Sequence, residues 1–123
     1  SKTVPYIYPE AEEFQIMPKV FSTGFMIGLI EWACVRFTKD HLDWPREQSV
    51  GIDVRLNHLA ATPPGLTVKV NGELTAVEGR KLSFAVSAHD GVDLITEGTH
   101  QRFVVDAEKF TAKAAEKAKQ AGV

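Results

Sequence analysis

The sequence predicts an α+β domain in which an antiparallel sheet wraps around one central buried helix. Residues 23–35 place apolar side chains on all sides of a helix, with one carboxylate, Glu31, in its middle. A helix that is apolar all round is normally buried. Downstream, residues 49–105 contain several stretches in which apolar and polar residues alternate, which is the period of half-buried strands. One face of such a sheet can cover one apolar helix.

Composition limits the size of the domain and its partners. A chain of 123 residues suits one domain with a proper core, and we predict a single domain over residues 1–123. The net charge is −2, and the 14 Lys and Arg are scattered, so no basic patch predicts nucleic-acid binding. The apolar run is far shorter than the roughly 20 residues that span a bilayer. We therefore expect neither a nucleic acid nor a membrane as partner.

The single cysteine, Cys34, gives information about the cellular compartment of the protein. One cysteine cannot form an internal disulfide, which favours a reducing compartment. The sequence also shows no signal-peptide pattern and no transmembrane run. We therefore expect a cytoplasmic protein.

Two segments precede the predicted helix. Residues 2–8, KTVPYIY, predict a short strand, which Pro5 places at an edge or a strand start. Residues 9–22 combine an acidic turn with apolar side chains in an irregular pattern. This second segment is either plain packing or a lid over the N-terminus of the helix.

The position of Glu31 on the helix predicts what surrounds it. Positions three, four and seven apart share a face, so Glu31 lines up with Gly28 and Gly24. The two glycines either let a strand pack closely or make room for a slim ligand that reaches the carboxylate. Burying an unpaired carboxylate costs several kcal/mol, so Glu31 needs a partner. Thr23 suits an N-cap, and an exposed helix N-terminus offers N–H groups to a carbonyl or an oxyanion.

Residues 49–61 alternate in polarity and predict a strand with one buried face. His58 falls on the apolar face, which should lie against the helix. A histidine there is either a satisfied core residue or the partner that Glu31 needs. Because Glu31 needs a partner, we favour the second interpretation, a functional Glu31–His58 pair.

The rest of the chain predicts a hairpin, a last strand and a last helix. Residues 66–77 and 82–88 alternate on either side of a Glu-Gly turn, as in a hairpin. Residues 94–105 predict the last strand, and Asp106 suits the cap of a helix over residues 107–121. An open sheet leaves an edge that invites pairing with a second copy, so we expect a homodimer.

Three blocks of sequence carry a resemblance to a known family. They are PKVFSTGFMIGLIEWACVR, NHLAATPPGLTVKV and VEGRKLSFAVSAHDGVDLITEGTH. In this order they closely resemble the fluoroacetyl-CoA thioesterase group of the hotdog-fold superfamily, over about residues 8–110. The resemblance implies a hotdog fold and hydrolysis of a short acyl-CoA thioester, with no metal or redox cofactor. The catalytic Thr, Glu and His of that group fall on Thr23, Glu31 and His58.

The resemblance also implies roles for these residues. Glu31 would either attack the thioester carbonyl or activate water as a base. His58 would assist departure of the CoA thiolate. Thr23 and the N–H groups of Gly24 and Phe25 would hold the carbonyl oxygen or position Glu31.

We expect the substrate to contact seven residues, namely Phe14, Met17, Phe21, Gly24, Phe25, Gly28 and Gly51. Gly51 matches a glycine of the same group, and its small size lets the backbone approach the acyl unit. Met17 stands where the fluoroacetyl-specific enzyme has a second Phe, and Met is less shape-selective, which leaves the acyl preference open. Two alternatives remain: hydration or dehydration of an acyl-CoA, and a module that binds acyl-CoA without turnover.

Overall fold

The computed structural model describes residues 2–123 and contains four strands and three α-helices in that range. The elements are α1 (Glu12–Gln15), α2 (Thr23–Thr38), β1 (Glu47–Leu56), β2 (Lys69–Glu78), β3 (Lys81–His89), β4 (Leu94–Asp106) and α3 (Ala107–Gln120). The strands pair antiparallel in the order β1-β4-β3-β2. This arrangement confirms the predicted α+β architecture of a sheet against one long helix.

The core lies between α2 and the sheet. The buried residues of α2 recur every four positions and form one stripe: Met26, Ile30, Cys34 and Thr38. From the sheet, β3 contributes its alternating buried residues, Leu82, Phe84, Val86 and Ala88, as the sequence pattern predicts. The two elements are amphipathic with periods near 3.6 and 2, so each buries one face against the other.

The prediction that α2 is buried on all sides is wrong. Trp32 is 58% exposed, and Phe37 is also exposed. The Arg36 guanidinium lies 5.6 Å from the centre of the Trp32 ring, and the Phe37 ring occupies the space that a Cβ at Gly72 would need. One four-stranded sheet covers one side of a helix, so the opposite side of α2 faces solvent in the protomer.

The strand predicted at residues 2–8 does not form. Thr3 makes a single antiparallel bridge with Phe21, and Val4–Tyr6 form a 3-10 turn. Pro5 suits this turn because the first helical turn does not need its missing N–H. The sheet of the described residues therefore has four strands.

A bulge in β1 changes which of its residues face the helix. The pairing with β4 shifts by one residue just after Gly51. An extra residue moves every later side chain to the other face. Val50 therefore pairs with Phe103 on the outer face, whereas Val54 pairs with the buried His100 on the helix face. The regular alternation predicted for residues 49–61 would place Val50 and Val54 on one face, and in this respect the prediction is wrong.

The last helix follows β4 directly. The carboxylate of Asp106 accepts a hydrogen bond from the backbone N–H of Lys109 at 3.1 Å, which confirms Asp106 as the N-cap of α3. No residue of α3 is buried. Within residues 2–123, no helix is long and apolar enough to cross a membrane.

Candidate active site

Thr23 and His58 meet at the N-terminal end of α2. Because β1 ends at Leu56, His58 lies in the loop beyond the strand and not on its apolar face, where we predicted it. Thr23 Oγ1 and His58 Nδ1 share a hydrogen bond of 2.8 Å. Both residues are exposed in the protomer, so a substrate can reach the pair.

Ser22, and not Thr23, is the N-cap of α2. The Ser22 backbone is extended and its hydroxyl accepts a hydrogen bond from the Phe25 N–H at 3.4 Å. The prediction of Thr23 as the cap is therefore wrong. Thr23 is the first helical residue, which leaves its hydroxyl available to His58. The N–H of Phe25, which we assigned to the substrate carbonyl, is already donated to Ser22.

Glu31 lies further along the same helix. It lies eight positions after Thr23, which corresponds to about 12 Å along the helix axis. Its carboxylate forms an ion pair with Arg102 of β4, with 3.4 Å between Oε1 and the guanidinium nitrogen. The side chain of Glu31 is 42% exposed. Within one protomer the partner of Glu31 is Arg102, and not His58 as predicted.

Buried polar groups hold Arg102 in place beneath Glu31. Its guanidinium donates hydrogen bonds of 2.8 Å to the hydroxyl and to the carbonyl oxygen of Ser49. The same group lies 3.1 Å from His100 Nε2. His100 Nδ1 is 2.8 Å from the carbonyl oxygen of Asp53, which can only accept, so Nδ1 carries the proton and Nε2 accepts from Arg102. The guanidinium thus has a fixed orientation toward the Glu31 carboxylate.

Gly51 provides the space in which the Glu31 carboxylate sits. A Cβ at Gly51 would overlap Oε1 of Glu31 and would lie 3.3 Å from the imidazole carbon of His100. The structure therefore brings Gly51 together with Glu31. Gly51 lies in β1 immediately before the bulge, so the backbone of this strand sets its position beside Glu31.

The other two glycines near Glu31 differ from each other. A Cβ at Gly24 would lie 3.4 Å from the Cδ1 atom of Ile7, so the N-terminal segment covers this glycine. A Cβ at Gly28 would meet nothing within 4 Å. Of Gly24 and Gly28, which we predicted to contact the substrate, only Gly28 has free space beside it in the protomer.

The segment before α2 carries Phe14 and Met17. Phe14 lies in α1, with its ring centre 6.0 Å from that of Tyr8. The amide of Gln15 donates to backbone carbonyl oxygens of the N-terminal turn, including those of Pro5 and Tyr8. Met17 lies just after α1 and is exposed. The lid over the N-terminus of α2 stays a prediction.

A groove of about 530 Å³ runs along α2 beside Trp32. Three of the predicted substrate residues line it, namely Phe21, Phe25 and Gly28. Thr23, Glu31 and His58 are absent from its lining. The groove therefore contains three predicted substrate contacts and none of the predicted catalytic side chains.

Comparisons with known proteins give the family. A family model described as fluoroacetyl-CoA-specific thioesterase matches residues 8–108. A fluoroacetyl-CoA thioesterase of Streptantibioticus cattleyicolor is 58% identical over 116 residues, covering 94% of this chain and 83% of that protein. The chain belongs to the fluoroacetyl-CoA-specific thioesterase family. This family member is therefore a thioester hydrolase, as the sequence predicts.

Solved structures confirm the fold of this thioesterase. A variant of the fluoroacetyl-CoA-specific thioesterase FlK, in complex with fluoroacetate and CoA, superposes with a TM-score of 0.91 at 58% identity, covering 94% of this chain and 90% of that one. A hot-dog-like protein of Thermanaerovibrio acidaminovorans superposes with a TM-score of 0.75 at 20% identity, covering 87% and 76%. The second likeness shows the fold alone, which is the predicted hotdog fold.

Proposed function

We propose that this thioesterase hydrolyses a short acyl-CoA thioester to the free acid and CoA, with Thr23, Glu31 and His58 as the reacting groups. The observation that carries the proposal is the 2.8 Å hydrogen bond between Thr23 and His58 at an exposed helix N-terminus. The relative that is 58% identical is named for fluoroacetyl-CoA, which supports a small acyl group.

The proposed chemistry is acyl transfer to water. The Glu31 carboxylate either attacks the thioester carbonyl, giving an anhydride that water then cleaves, or removes a proton from the attacking water. The C–S bond breaks in both routes, and the leaving thiolate takes its proton from His58. The hydroxyl of Thr23 orients the imidazole through their shared hydrogen bond.

We further propose a homodimer in which each site combines groups from both protomers. Positions 23 and 31 are about 12 Å apart along the helix axis. Glu31 pairs with Arg102 and not with His58, which favours a site that combines Glu31 of one protomer with the Thr23–His58 pair of the other. The strand order leaves β1 as an edge of the sheet, with β4 on its other side. A ten-residue edge strand is a template for pairing with another chain.

The geometry of such a dimer supports a shared site. Antiparallel pairing of β1 with a second β1 about a two-fold axis continues the sheet and lays the two α2 helices side by side in opposite directions. The Thr23 end of each helix then faces the second half of the partner's helix, where Glu31 lies. Gly28, whose surface is open, allows the helices or a substrate between them to come close.

The same proposal includes the absence of a cofactor and a cytoplasmic location. The steps above use protein groups and the CoA of the substrate, so thiol release is expected to be unchanged after treatment with EDTA. Free buried Cys34 agrees with a reducing compartment, which supports the cytoplasm. Loss of activity with EDTA, restored by one added metal ion, would contradict the metal-free route.

The test is thiol release from acetyl-, fluoroacetyl-, propionyl-, malonyl- and phenylacetyl-CoA. We expect Glu31→Gln and His58→Gln each to lose about 100-fold or more, the scale of a lost catalytic acid or base. Matched controls are Glu78→Gln, at an exposed ion pair on the β2–β3 turn, and His41→Gln, at an exposed histidine. Both controls should keep native rates.

Each alternative function gives a different result in this assay. Tight acyl-CoA binding without thiol release would indicate a binding module, and a changed acyl chain would indicate hydration or dehydration. The ratio of rates on fluoroacetyl- and acetyl-CoA identifies the acyl preference that Met17 leaves open.

A further inference from the structure

The loop that carries His58 is fixed to β4 on both sides of the histidine. The carbonyl oxygen of Asn57 accepts a hydrogen bond of 2.7 Å from the Thr96 hydroxyl. The N–H of Leu59 donates to the carbonyl oxygen of Ile95 at 2.8 Å. The backbone immediately around His58 therefore follows the position of β4.

Thr62 connects this loop to the helix that carries Thr23. Its carbonyl oxygen accepts a hydrogen bond of 2.9 Å from the N–H of Phe21, two residues before Thr23. Its hydroxyl donates a hydrogen bond of 2.8 Å to the carboxylate of Asp90. Thr62 and Asp90 are each 3% exposed, so water cannot readily replace this contact.

Asp90 is itself immobilised in the turn between β3 and β4. Its other carboxylate oxygen accepts hydrogen bonds from the N–H groups of Val92 and Asp93, at 2.9 and 2.8 Å. Its own N–H donates to the carbonyl oxygen of Asp93 at 3.1 Å. Two N–H groups of the turn therefore hold Oδ1 of Asp90, which gives Oδ2 one orientation toward Thr62.

We infer that Thr62 and Asp90 are positioning residues that hold His58 at hydrogen-bond distance from Thr23. One buried side-chain bond fixes Thr62, and through it the segment after His58 and the segment before Thr23. The inference rests on the proposed function for its effect on rate, but its effect on geometry does not depend on hydrolysis.

The kinetic test removes the Thr62 hydroxyl and keeps the shape of the side chain. We expect Thr62→Val to lower kcat by about 10- to 100-fold, the scale of a small misalignment, with little change in KM. Thr62→Ser should restore most of the rate because it keeps the hydroxyl. Thr75→Val is the matched control, since the Thr75 hydroxyl bonds to a carbonyl oxygen on an exposed part of the sheet. It should keep the native kcat.

A double-mutant cycle separates positioning from general stability. In a Thr23→Ala background, Thr62→Val should cause little further loss of kcat, because the Thr23–His58 hydrogen bond that Thr62 positions is already absent. Additive losses, or a native kcat in Thr62→Val, would overturn the inference.

A spectroscopic readout keeps the inference testable apart from the proposed function. We expect the imidazole NMR signal of His58, assigned by its loss in His58→Gln, to shift in Thr62→Val and not in Thr75→Val. If the native chain released no thiol, this shift would still support the inference, and an unchanged signal would overturn it.

A second variant covers the case in which Thr62→Val does not fold. Asp90→Asn keeps the acceptor for the turn and replaces a charge-assisted hydrogen bond with a weaker neutral one. It should shift the His58 signal in the same direction by a smaller amount. An unchanged His58 signal in folded Asp90→Asn, together with a native kcat, would overturn the inference.

Discussion

Gly51 determines where the Glu31 carboxylate can rest. A methyl group at this position would overlap Oε1 of Glu31, which is the mobile end of a half-exposed side chain. We therefore expect Gly51→Ala to move the carboxylate away from Arg102 while the chain stays folded. Thiol release should fall by about 10-fold or more, as for other small displacements of a reacting group. A native rate in a folded Gly51→Ala variant would show that this placement of Glu31 is unimportant.

Cys34 is expected to be unreactive in the native protein. Burial, partly offset by the positive charge of Arg102 and reinforced by the negative charge of Glu31, raises the pKa of its thiol to about 11. A group with a raised pKa stays protonated until the pH approaches that value, and the thiolate is the reactive form. A disulfide reagent at pH 8 should therefore modify Cys34 slowly in the native chain and fully after unfolding in urea. Fast modification of the native chain would contradict the burial of this thiol.

The sequence predicted that Glu31 needs a partner but not which partner it has. The prediction rested on the cost of burying a carboxylate, and the structure supplies the charge from Arg102. Gly98 interrupts the polarity pattern of the β4 sequence, although burial alternates through it, because its backbone packs against Arg55 too closely for any Cβ. The face of His100 was therefore ambiguous in sequence, and Arg102 shares that face. A regular alternation of polar and apolar residues through residue 98 would have shown that His100 and Arg102 face the helix.

The start of α2 separates a stabilising residue from a reacting one. Ser22 caps the helix, whereas Thr23 bonds to His58. We expect Ser22→Ala to lower the free energy of unfolding by about 1 kcal/mol, a common cost of a lost cap. Thr23→Val should change it by less than about 0.5 kcal/mol, as is usual for surface changes, while thiol release falls. Urea unfolding and the thiol assay measure the two effects. A larger loss of stability in Thr23→Val than in Ser22→Ala would show that Thr23, and not Ser22, caps the helix.

The N-cap of α3 should make that helix sensitive to acid. The N–H of Lys109, followed by the positive charges of Lys109 and Arg46, lowers the pKa of Asp106 below its ordinary value. A lowered pKa gives stability that is present above the ordinary value, about 3.9, and is lost as the pH falls through the folded value. NMR shifts of α3 amides should therefore move toward coil values in acid.

Asp106→Asn is the control for that pH dependence. Asn is also a good N-cap, but it does not titrate. The α3 amide shifts of this variant should depend much less on pH than those of the native chain. Equal pH dependence in the two proteins would assign the change to other carboxylates.

Regular elements were predictable from sequence, and irregular ones were not. The alternation of β3 and the apolar run of α2 gave those elements correctly, although the run did not show which side of α2 is buried. The bulge after Gly51 adds one residue that no polarity pattern marks. This explains why the candidate residues were predicted while their grouping was not: Thr23 and His58 meet at a loop, where no period applies.

At the scale of the whole molecule, the proposed reacting groups lie in two regions of the protomer surface. The Thr23–His58 pair lies at one end of α2, and Glu31 with Arg102 lies about 12 Å along the axis, beside β1. The Thr23–His58 pair is exposed, Glu31 is half-exposed, and β1, which carries Gly51 beside Glu31, is one of the two edges of the sheet. The proposed two-fold axis at the β1 edge would complete the site in the simplest way, because it would use each region twice.

Subunit complementation tests this arrangement directly. Glu31→Gln and His58→Gln should each be inactive alone, but a heterodimer of the two has one site with both changes and one site with neither. After equal amounts are refolded together, half of the dimers are mixed and half of their sites are intact, so we expect about a quarter of native activity. Refolding Glu31→Gln with itself is the control. If the mixture stays inactive although mass spectrometry shows mixed dimers, each protomer must carry a complete site, and Glu31 must reach its substrate by another route.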